Sequence, residues 1–222
     1  MIEDLELVRF ELGPFEQNVY VLVGPSKRRA AIFDPGFDVE EALRFLERRG
    51  LTLDLIVNTH GHLDHAAGNR LVKERTGAPL AIHPADAPFL KHLDAQGSAY
   101  GFDVDPSPDP DLPLEESQPL QFDGISIDVI HTPGHTPGGT CLKFGRRMIV
   151  GDTLFRGSVG RTDLPGGSWP DLVASIRGKL FRLPADTVCY PGHGPETTLG
   201  HERLTNPFVS DAAVGERAEE RP

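Results

Sequence analysis

One short stretch limits the possible folds of this chain more than any other: HGHLDH, residues 60–65, where six positions carry three histidines and an aspartate. The apolar residues before it, LDLIVNT at 53–59, predict a short buried strand, and residues 66–76 predict a helix that ends before Gly77. Three imidazoles this close together would repel one another when protonated and would bury little apolar surface. The stretch therefore predicts metal binding in a strand-to-helix loop. Its candidate ligands are His60, His62, Asp64 and His65.

The rest of the chain alternates between strand and helix patterns, which is typical of an α/β protein. Short apolar or alternating runs predict strands at 5–12, 18–23, 30–34, 79–83, 125–131, 140–144, 147–152 and 187–192. A first helix should begin after Asp38, with Glu41 in the reciprocal capping position, and end at Gly50. A later helix should begin at Ser168, with Asp171 at its third position.

Further metal-ligand residues stand at the ends of later predicted strands. His135 lies in HTPGH, Asp152 ends the run RMIVGD, and His193 lies in YPGHG. Loops at strand ends can converge in space, and the combined ligands exceed the four that one tetrahedral ion uses. The pattern therefore predicts two divalent ions, held by imidazole nitrogens and carboxylate oxygens that suit zinc, iron or manganese. The remaining histidines are expected to be structural or surface residues: His83, His92, His131 and His201.

Composition disfavours several classes of function. The chain has 222 residues, of which 38% are hydrophobic and 25% charged, as in an ordinary globular protein. Its formal charge of −11 and its longest basic cluster, residues 27–29, disfavour nucleic acid or an anionic membrane as a partner. No run approaches the ~20 apolar residues of a membrane span, and the acidic start MIEDLELVRF lacks a signal-peptide pattern. A cytoplasmic location is the expectation.

One domain is expected over residues 1–209, because a chain of this length can bury one substantial core. The final residues, 210–222, read SDAAVGERAEERP; they are polar and predict a disordered tail. The sequence pattern makes no prediction of the oligomeric state.

Four motifs, in this order, resemble those of the metallo-β-lactamase superfamily: THGHLDH, PGH at 133–135, GD at 151–152 and PGH at 191–193. The resemblance is closest to its glyoxalase II-like hydrolases of the short bacterial type, which lack a long C-terminal helical domain. Three further segments carry this finer resemblance, namely FRGSVGRTDLPGG, PGHGPETTLGHE and LTNPF. The resemblance implies an α/β fold of the α+β kind, a four-layered αββα sandwich.

The resemblance also implies how the ligands are shared between two ions. The implied ligands are His60, His62 and His135 for the first ion, Asp64, His65 and His193 for the second, and Asp152 as a bridge. Zinc is the first expectation, with iron or manganese as alternatives. Two ions about 3.5–4 Å apart can share a water molecule and lower its pKa from ~16 towards ~7. The resulting hydroxide would attack a thioester carbonyl, and Asp64 is the carboxylate best placed to hold its proton.

The function of that family implies hydrolysis of S-D-lactoylglutathione, or of a related hydroxyacyl thioester, to D-lactate and glutathione. The expected partner is therefore a small-molecule thioester, with a glutathione conjugate as the first choice. One segment departs from the family pattern, since glyoxalase II carries a GKFYEG-like glutathione-binding stretch where this chain has GRTDLPGG at 160–167. Arg161 falls at the family lysine, and Asp163 replaces the tyrosine. Arg161 is the candidate for gripping a substrate carboxylate, because a guanidinium can form two parallel hydrogen bonds to one.

Two other functions are compatible with these motifs. A persulfide dioxygenase shares the fold and a GRTD-like segment, but it uses one iron held by two histidines and an aspartate. Its first motif resembles THxHADH, whereas this chain has Leu63 at the alanine position. A non-catalytic metal-binding module would be expected to accompany another domain, for which 222 residues leave no room. The thioester hydrolase is the preferred prediction.

Overall fold

The structure is a computed structural model that describes residues 5–213. Its strands are β1 (Glu6–Leu12), β2 (Gln17–Val23), β3 (Arg29–Phe33), β4 (Thr52–Val57), β5 (Leu80–Ile82), β6 (Leu112–Pro113), β7 (Leu120–Phe122), β8 (Ile125–His131), β9 (Thr140–Phe144), β10 (Arg147–Gly151), β11 (Leu154–Phe155), β12 (Ser158–Val159), β13 (Val188–Pro191) and β14 (Thr197–Thr198). Its helices are α1 (Glu40–Arg49), α2 (Leu63–Ala66), α3 (Asn69–Thr76), α4 (Ala87–Leu90), α5 (Leu93–Ala99), α6 (Trp169–Gly178) and α7 (Leu199–Thr205), with a 3-10 turn at Leu180–Arg182. Each predicted strand is confirmed to within two residues at its ends. None of the helices within the described range is long and apolar enough to cross a membrane.

The described strands form two mixed sheets and a small hairpin. The first sheet has the order β1-β2-β3-β4-β5-β6 and is antiparallel from β1 to β3 and parallel from β3 to β6. The second has the order β14-β13-β10-β9-β8-β7, in which β10 and β13 run parallel and the other neighbours antiparallel. Strands β11 and β12 pair separately. Helix α1 connects β3 to β4, and α2 with α3 connects β4 to β5, as parallel neighbours require.

Alternate residues of each strand face opposite layers, so an apolar run can pack on both sides of its sheet. In β2, Val21 packs in the core beneath α1 and α3, whereas Leu22 packs between the two sheets. In β10, Ile149 faces the same inter-sheet core, and Val150 faces α6 on the outer side. The order of layers is helix, sheet, sheet, helix. The predicted αββα sandwich is therefore confirmed.

Two of the three predicted helix ends follow local chemistry, and the third departs from it. Ser168 caps α6, because its Oγ accepts the backbone N–H of Asp171 at 3.4 Å as predicted. Gly50 ends α1 in the left-handed conformation, also as predicted. The predicted cap at Asp38 is wrong: α1 begins after Val39 without a side-chain cap. Asp38 has a φ of 55° rather than the extended backbone of a capping residue, so its carboxylate does not cap the first turn.

The packed chain continues past the expected domain boundary. Ser210 is buried, and the Asp211 carboxylate pairs with the guanidinium groups of Arg177 and Arg203 at 3.1 and 3.0 Å. These two arginines hold the chain against α6 and α7, so the first residues of the predicted disordered tail are packed instead. The remainder of that tail, 214–222, lies outside the described residues.

The loops that carry the predicted ligands leave from one edge of the sandwich. Strands β8, β10 and β13 of the second sheet run in the same direction, so their carboxyl ends lie side by side. The end of β4 in the first sheet joins them through Thr140, which donates its backbone N–H and hydroxyl to the carbonyl oxygen of Thr59 at 2.9 and 3.0 Å. Each of these four strand ends is followed by a ligand-bearing loop.

Candidate metal centre

Seven side chains converge where the ends of β4, β8, β10 and β13 meet. Their ligand atoms form three overlapping groups, and the atoms within each group lie within 4.8 Å of one another. The groups are His60, His62 and His135; His60, His65 and Asp152; and Asp64, His65 and His193. The structure thus brings together every residue that the sequence predicts as a metal ligand.

Hydrogen bonds determine the shape of the HGHLDH loop. Thr59 donates its backbone N–H and its hydroxyl to the two oxygens of Asp34, at 2.7 and 2.8 Å. Asn58 donates from Nδ2 to the carbonyl oxygen of His65 at 2.9 Å. His62 is extended, with φ −75° and ψ 155°, immediately before α2 begins. The loop therefore changes from extended to helical backbone within the motif, so its first two histidines and its last two ligands face different groups.

The first group consists of three imidazoles, and in those of His60 and His135 a lone pair on Nε2 is turned inward. His135 Nδ1 donates to the carbonyl oxygen of Arg161 at 2.7 Å, which leaves Nε2 as the acceptor, 2.8 Å from His62 Nδ1. His60 Nδ1 lies 3.0 Å from the Thr59 hydroxyl, which donates its own proton elsewhere and therefore accepts from this nitrogen. His60 Nε2 is buried and has no hydrogen-bond partner among the described residues. A buried acceptor in this state is costly unless a ligand binds it.

Burial keeps two imidazoles of the first group, those of His60 and His62, neutral. Burial, reinforced by the neighbouring His135, lowers the pKa of His62 to about 4. Burial also holds the pKa of His60 well below its ordinary value, with His65 acting in the same direction. Neutral imidazole is the form that binds a metal ion. These two imidazoles can therefore bind an ion at neutral pH without first losing protons.

The group of Asp64, His65 and His193, called the second group from here on, combines histidines with a carboxylate. His193 Nε2 lies 3.1 Å from Asp64 Oδ2, and its Nδ1 donates to the carbonyl oxygen of Phe15 at 3.0 Å. His65 Nε2 lies 3.5 Å from the same oxygen of Asp64, and its Nδ1 lies 3.1 Å from Asp34 Oδ2. A hydrogen bond on Nδ1 orients His193, and the Asp34 carboxylate lies beside Nδ1 of His65, so that Nε2 of each ring faces the group.

Asp152 lies between the two groups. Its Oδ1 is 3.3 Å from His65 Nε2, and its Oδ2 is 3.6 Å from His135 Nε2 and 3.8 Å from His193 Nε2. Although burial acts in the opposite direction, His65 holds the pKa of Asp152 well below its usual range. Burial would lower the pKa of His65 in turn, but the surrounding carboxylates raise it well above its ordinary value. A bound cation would take the place of the proton on His65 and satisfy the same carboxylates.

The donor set fits divalent metal ions. Imidazole nitrogens and carboxylate oxygens together suit zinc, iron and manganese. His65 Nε2 and Asp152 Oδ1, like His60 Nε2, are buried without a hydrogen-bond partner anywhere in residues 5–213. Buried polar atoms are normally paired, and bound cations would supply the partner that each of these three atoms lacks.

Two buried carboxylates that support the ligands are missing from the sequence prediction. Asp34 follows β3 and contacts both the HGHLDH loop and His65. Asp86 accepts the backbone N–H of Gly61 at 2.9 Å and that of Gly138 at 2.6 Å, and it thereby joins the HGHLDH loop to the loop of His135. The position of Asp34 at a strand end is a signal that could have found it. Asp86 has no such signal, because it lies in a turn before α4 and its two partners are distant in sequence.

The other histidines have the structural or surface positions expected of them. His131 donates from Nε2 to the carbonyl oxygen of Pro137 at 2.9 Å and stacks on His83, with ring centroids 4.1 Å apart. His92 and His201 are exposed. None of the four belongs to a ligand group within the described residues.

A cleft of about 620 Å³ opens over the ligands. Its floor includes His62, Asp64, His135, Asp152 and His193. Arg161 also lines the cleft, but its Nε and Nη2 atoms donate to the two carboxylate oxygens of Asp163 at 2.8 and 2.7 Å. The guanidinium predicted to grip a substrate is therefore paired within its own loop, while the backbone carbonyl of the same residue orients a ligand histidine.

Known proteins are similar to this chain in both sequence and fold. Residues 12–193 match the family model of the metallo-beta-lactamase superfamily. Hydroxyacylglutathione hydrolase GloC of Haemophilus influenzae is 36% identical over 203 residues, which span 88% of this chain and 94% of that protein. The crystal structure of BLEG-1 B3 metallo-beta-lactamase is 36% identical, with a TM-score of 0.86 over 92% of this chain and 99% of that one. The structure of TTHA1623 in a di-iron-bound form is 38% identical, with a TM-score of 0.83 over 91% and 100% of the two chains. The chain therefore belongs to the metallo-β-lactamase superfamily.

Proposed function

We propose that this metallo-hydrolase hydrolyses a thioester, with S-D-lactoylglutathione as the first candidate substrate. The observation that carries the proposal is the convergence of two histidine-rich ligand groups on one carboxylate, Asp152, at the floor of a cleft. The similarity to a relative named hydroxyacylglutathione hydrolase supports the choice of substrate.

Two divalent ions would fit the two ligand groups. The proposed ligands are His60, His62 and His135 for one ion, Asp64, His65 and His193 for the other, and Asp152 for both. When bound, such ions lower the pKa of water and polarise a carbonyl oxygen. Zinc is the first candidate, with iron or manganese as alternatives. The di-iron-bound form of a 38% identical protein supports a site for two ions.

Asp64 is the proposed catalytic carboxylate. It lines the cleft, and its Oδ2 lies 3.1 Å from His193 Nε2. Although burial acts in the opposite direction, His65 and His193 lower the pKa of Asp64, so the carboxylate is ionised at neutral pH. An ionised carboxylate that faces the cleft can accept the proton of the attacking water.

Cysteine side chains are not in a position to act as nucleophiles. Cys141 and Cys189 are buried in the core between the second sheet and α6, and neither lines the cleft. Burial raises the pKa of the Cys141 thiol to about 11, so its reactive thiolate form is scarce at neutral pH. Activated water is therefore the proposed nucleophile.

Thiol release from lactoylglutathione tests the proposal directly. The protein is stripped of metal, reloaded with zinc, iron or manganese, and assayed for free thiol. Metal-dependent release is the expected result. Oxygen uptake with glutathione persulfide, in place of thiol release, would instead identify a persulfide dioxygenase. Neither activity in metal-loaded protein would indicate a binding module.

A further inference from the structure

The cleft above the ligands has aromatic and aliphatic walls. Away from the ligands it is lined by Phe15, Phe89, Tyr100, Phe155, Val159 and Leu164. These walls begin at the ligands themselves, because the Phe89 ring lies 5.8 Å from that of His62 and the Phe155 ring lies 6.2 Å from that of His193. A group attached to the reacting carbonyl would therefore meet apolar surface at once.

One of these walls is held in place by contacts between aromatic rings. Phe15 packs edge-on against Tyr100 at 5.6 Å and against Phe102 at 5.7 Å, so its ring is held in place by its neighbours. Tyr100 nevertheless exposes 54% of its surface at the cleft. An exposed aromatic ring on a fixed support suits the binding of an apolar ligand, because little order has to be gained on binding.

Two polar side chains of the cleft, Gln96 and Arg161, are already engaged in hydrogen bonds. Gln96 accepts the backbone N–H of Leu63 and donates to the carbonyl oxygen of Phe89, both at 3.0 Å. The bidentate hydrogen bond from Arg161 lowers the pKa of Asp163 to about 2, so both groups are charged and can pair at neutral pH. The opposite charges of Arg161 and Asp163 cancel, and no other lysine or arginine of the described chain lines the cleft. A charged tripeptide such as glutathione therefore meets no unpaired cation on these walls.

We propose that the cleft binds an apolar, uncharged acyl group, so that hydrophobic acyl thioesters are better substrates than S-D-lactoylglutathione. This inference rests on the proposed function, since it names the part of the thioester that fills the cleft. Each methylene that leaves water for an apolar wall strengthens binding about fourfold. A cleft of about 620 Å³ has room for a chain of several carbons.

A series of thioesters that share one neutral thiol and differ in the length of the acyl group tests the inference. Acetyl, butyryl and hexanoyl thioesters of N-acetylcysteamine are compared on the metal-loaded enzyme. The value of kcat/KM is expected to rise about fourfold for each added methylene, mainly through KM, until the cleft is full. A flat or falling series would overturn the inference.

A second comparison measures how much the charged tripeptide of glutathione contributes to kcat/KM. The lactoyl thioesters of glutathione and of N-acetylcysteamine carry the same acyl group and differ in the thiol. Their kcat/KM values are expected to lie within about threefold of each other, because charges at an exposed rim contribute little. A preference for lactoylglutathione above about tenfold would show that the site recognises the tripeptide and would contradict the inference.

Equilibrium binding separates a failure of this inference from a failure of the proposed function. S-ethyl and S-hexyl N-acetylcysteamine resist hydrolysis, and calorimetry measures their affinities. The hexyl compound is expected to bind more tightly by about fourfold per added methylene. Equal affinities would overturn the inference even if thioesters are hydrolysed. Tighter hexyl binding without turnover of any thioester would overturn the proposed function alone.

Substitution of a wall residue provides a matched pair of variants. Tyr100→Ala removes an exposed ring, so the fold should survive. The substitution is expected to lower kcat/KM for the hexanoyl thioester about tenfold relative to that for the acetyl thioester. Metal content should be unchanged. Leu204→Ala is the control, because Leu204 exposes 76% of its surface on α7 and does not line the cleft. A Tyr100→Ala variant with the wild-type acyl preference would contradict the inference.

Removal of the anionic partner of Arg161 tests whether this ion pair keeps the arginine from binding a charged thiol. Asp163→Asn leaves the Arg161 guanidinium without its anionic partner. The KM for lactoylglutathione is expected to fall about twofold to fivefold, the contribution of one exposed ion pair, while the KM for the hexanoyl thioester stays the same. An unchanged KM for lactoylglutathione would show that this pair does not exclude a charged thiol, against the inference.

Discussion

Individual ligand residues are oriented by contacts that leave one ring nitrogen free. His135 and His193 donate from Nδ1 to backbone carbonyl groups, whereas His65 and His60 face Asp34 and Thr59. In each case Nε2 points into a ligand group. Because backbone carbonyls hold two of the four rings, part of this arrangement depends on loop shape rather than on further side chains.

At the residue scale, Asp64→Asn tests the proposed catalytic carboxylate. The amide keeps the size of the side chain but loses the negative charge that accepts a proton and holds the second ion. Thioester turnover should fall by roughly 10² to 10⁴-fold, the range typical of general acid–base groups. Turnover is measured together with metal content. A metal-replete, folded variant with nearly unchanged turnover would remove Asp64 from the mechanism.

Asp86→Asn tests the support between the two loops of the first group. An amide presents one acceptor oxygen in place of two, so the N–H of Gly61 or of Gly138 loses its partner. The free energy of unfolding should fall by about 1–3 kcal/mol, and affinity for the first ion should fall by about 10- to 100-fold. Denaturant unfolding and metal titration measure the two effects. The exposed Asp94→Asn is the control, and equal behaviour of the two variants would contradict this role.

At the scale of elements, the segment after β13 passes the ligands at a distance that only glycine permits. A Cβ on Gly192 would overlap Asp152 Oδ1 and the His65 ring. Gly192→Ala should therefore destabilise the fold by about 1–3 kcal/mol, as overpacking does, and should reduce metal content. Gly178→Ala, at the end of α6, meets no atom within 4 Å and should stabilise the protein by up to about 1 kcal/mol. Thermal unfolding and metal analysis compare the two, and a fully metallated Gly192→Ala variant would contradict the prediction.

At the scale of the whole molecule, metal should stabilise the fold because loops from both sheets supply the ligands. The protein is expected to bind about two ions per chain, since seven ligands exceed what one tetrahedral ion uses. At about 100 times the dissociation constant, one ion adds about 2.7 kcal/mol to the free energy of unfolding. Removal of metal with a chelator should accordingly lower Tm. Saturation at one ion under metal excess would overturn the two-ion proposal.

Local patterns in the sequence determined most of the strands, one helix cap and the candidate metal ligands of this protein. The apolar runs predict the strands because a side chain alternates its face at every residue whatever the rest of the chain does. The cap at Ser168 was predictable because its partner, Asp171, is three residues away. The ligand candidates were visible because imidazole and carboxylate have few other reasons to cluster at strand ends. Their division between two ions, in contrast, came from the family resemblance and not from spacing.

Tertiary structure alone decided which groups support the ligands and what surrounds them. Asp86 meets Gly138, 52 residues away, only because the two sheets stack and bring their edges together. The apolar walls of the cleft are built from loops and helices that no local period relates, so the sequence could not indicate which side chains line it. Hydrophobic periodicity and capping act over a few residues, whereas a site assembled across two sheets depends on contacts that exist only in the folded chain.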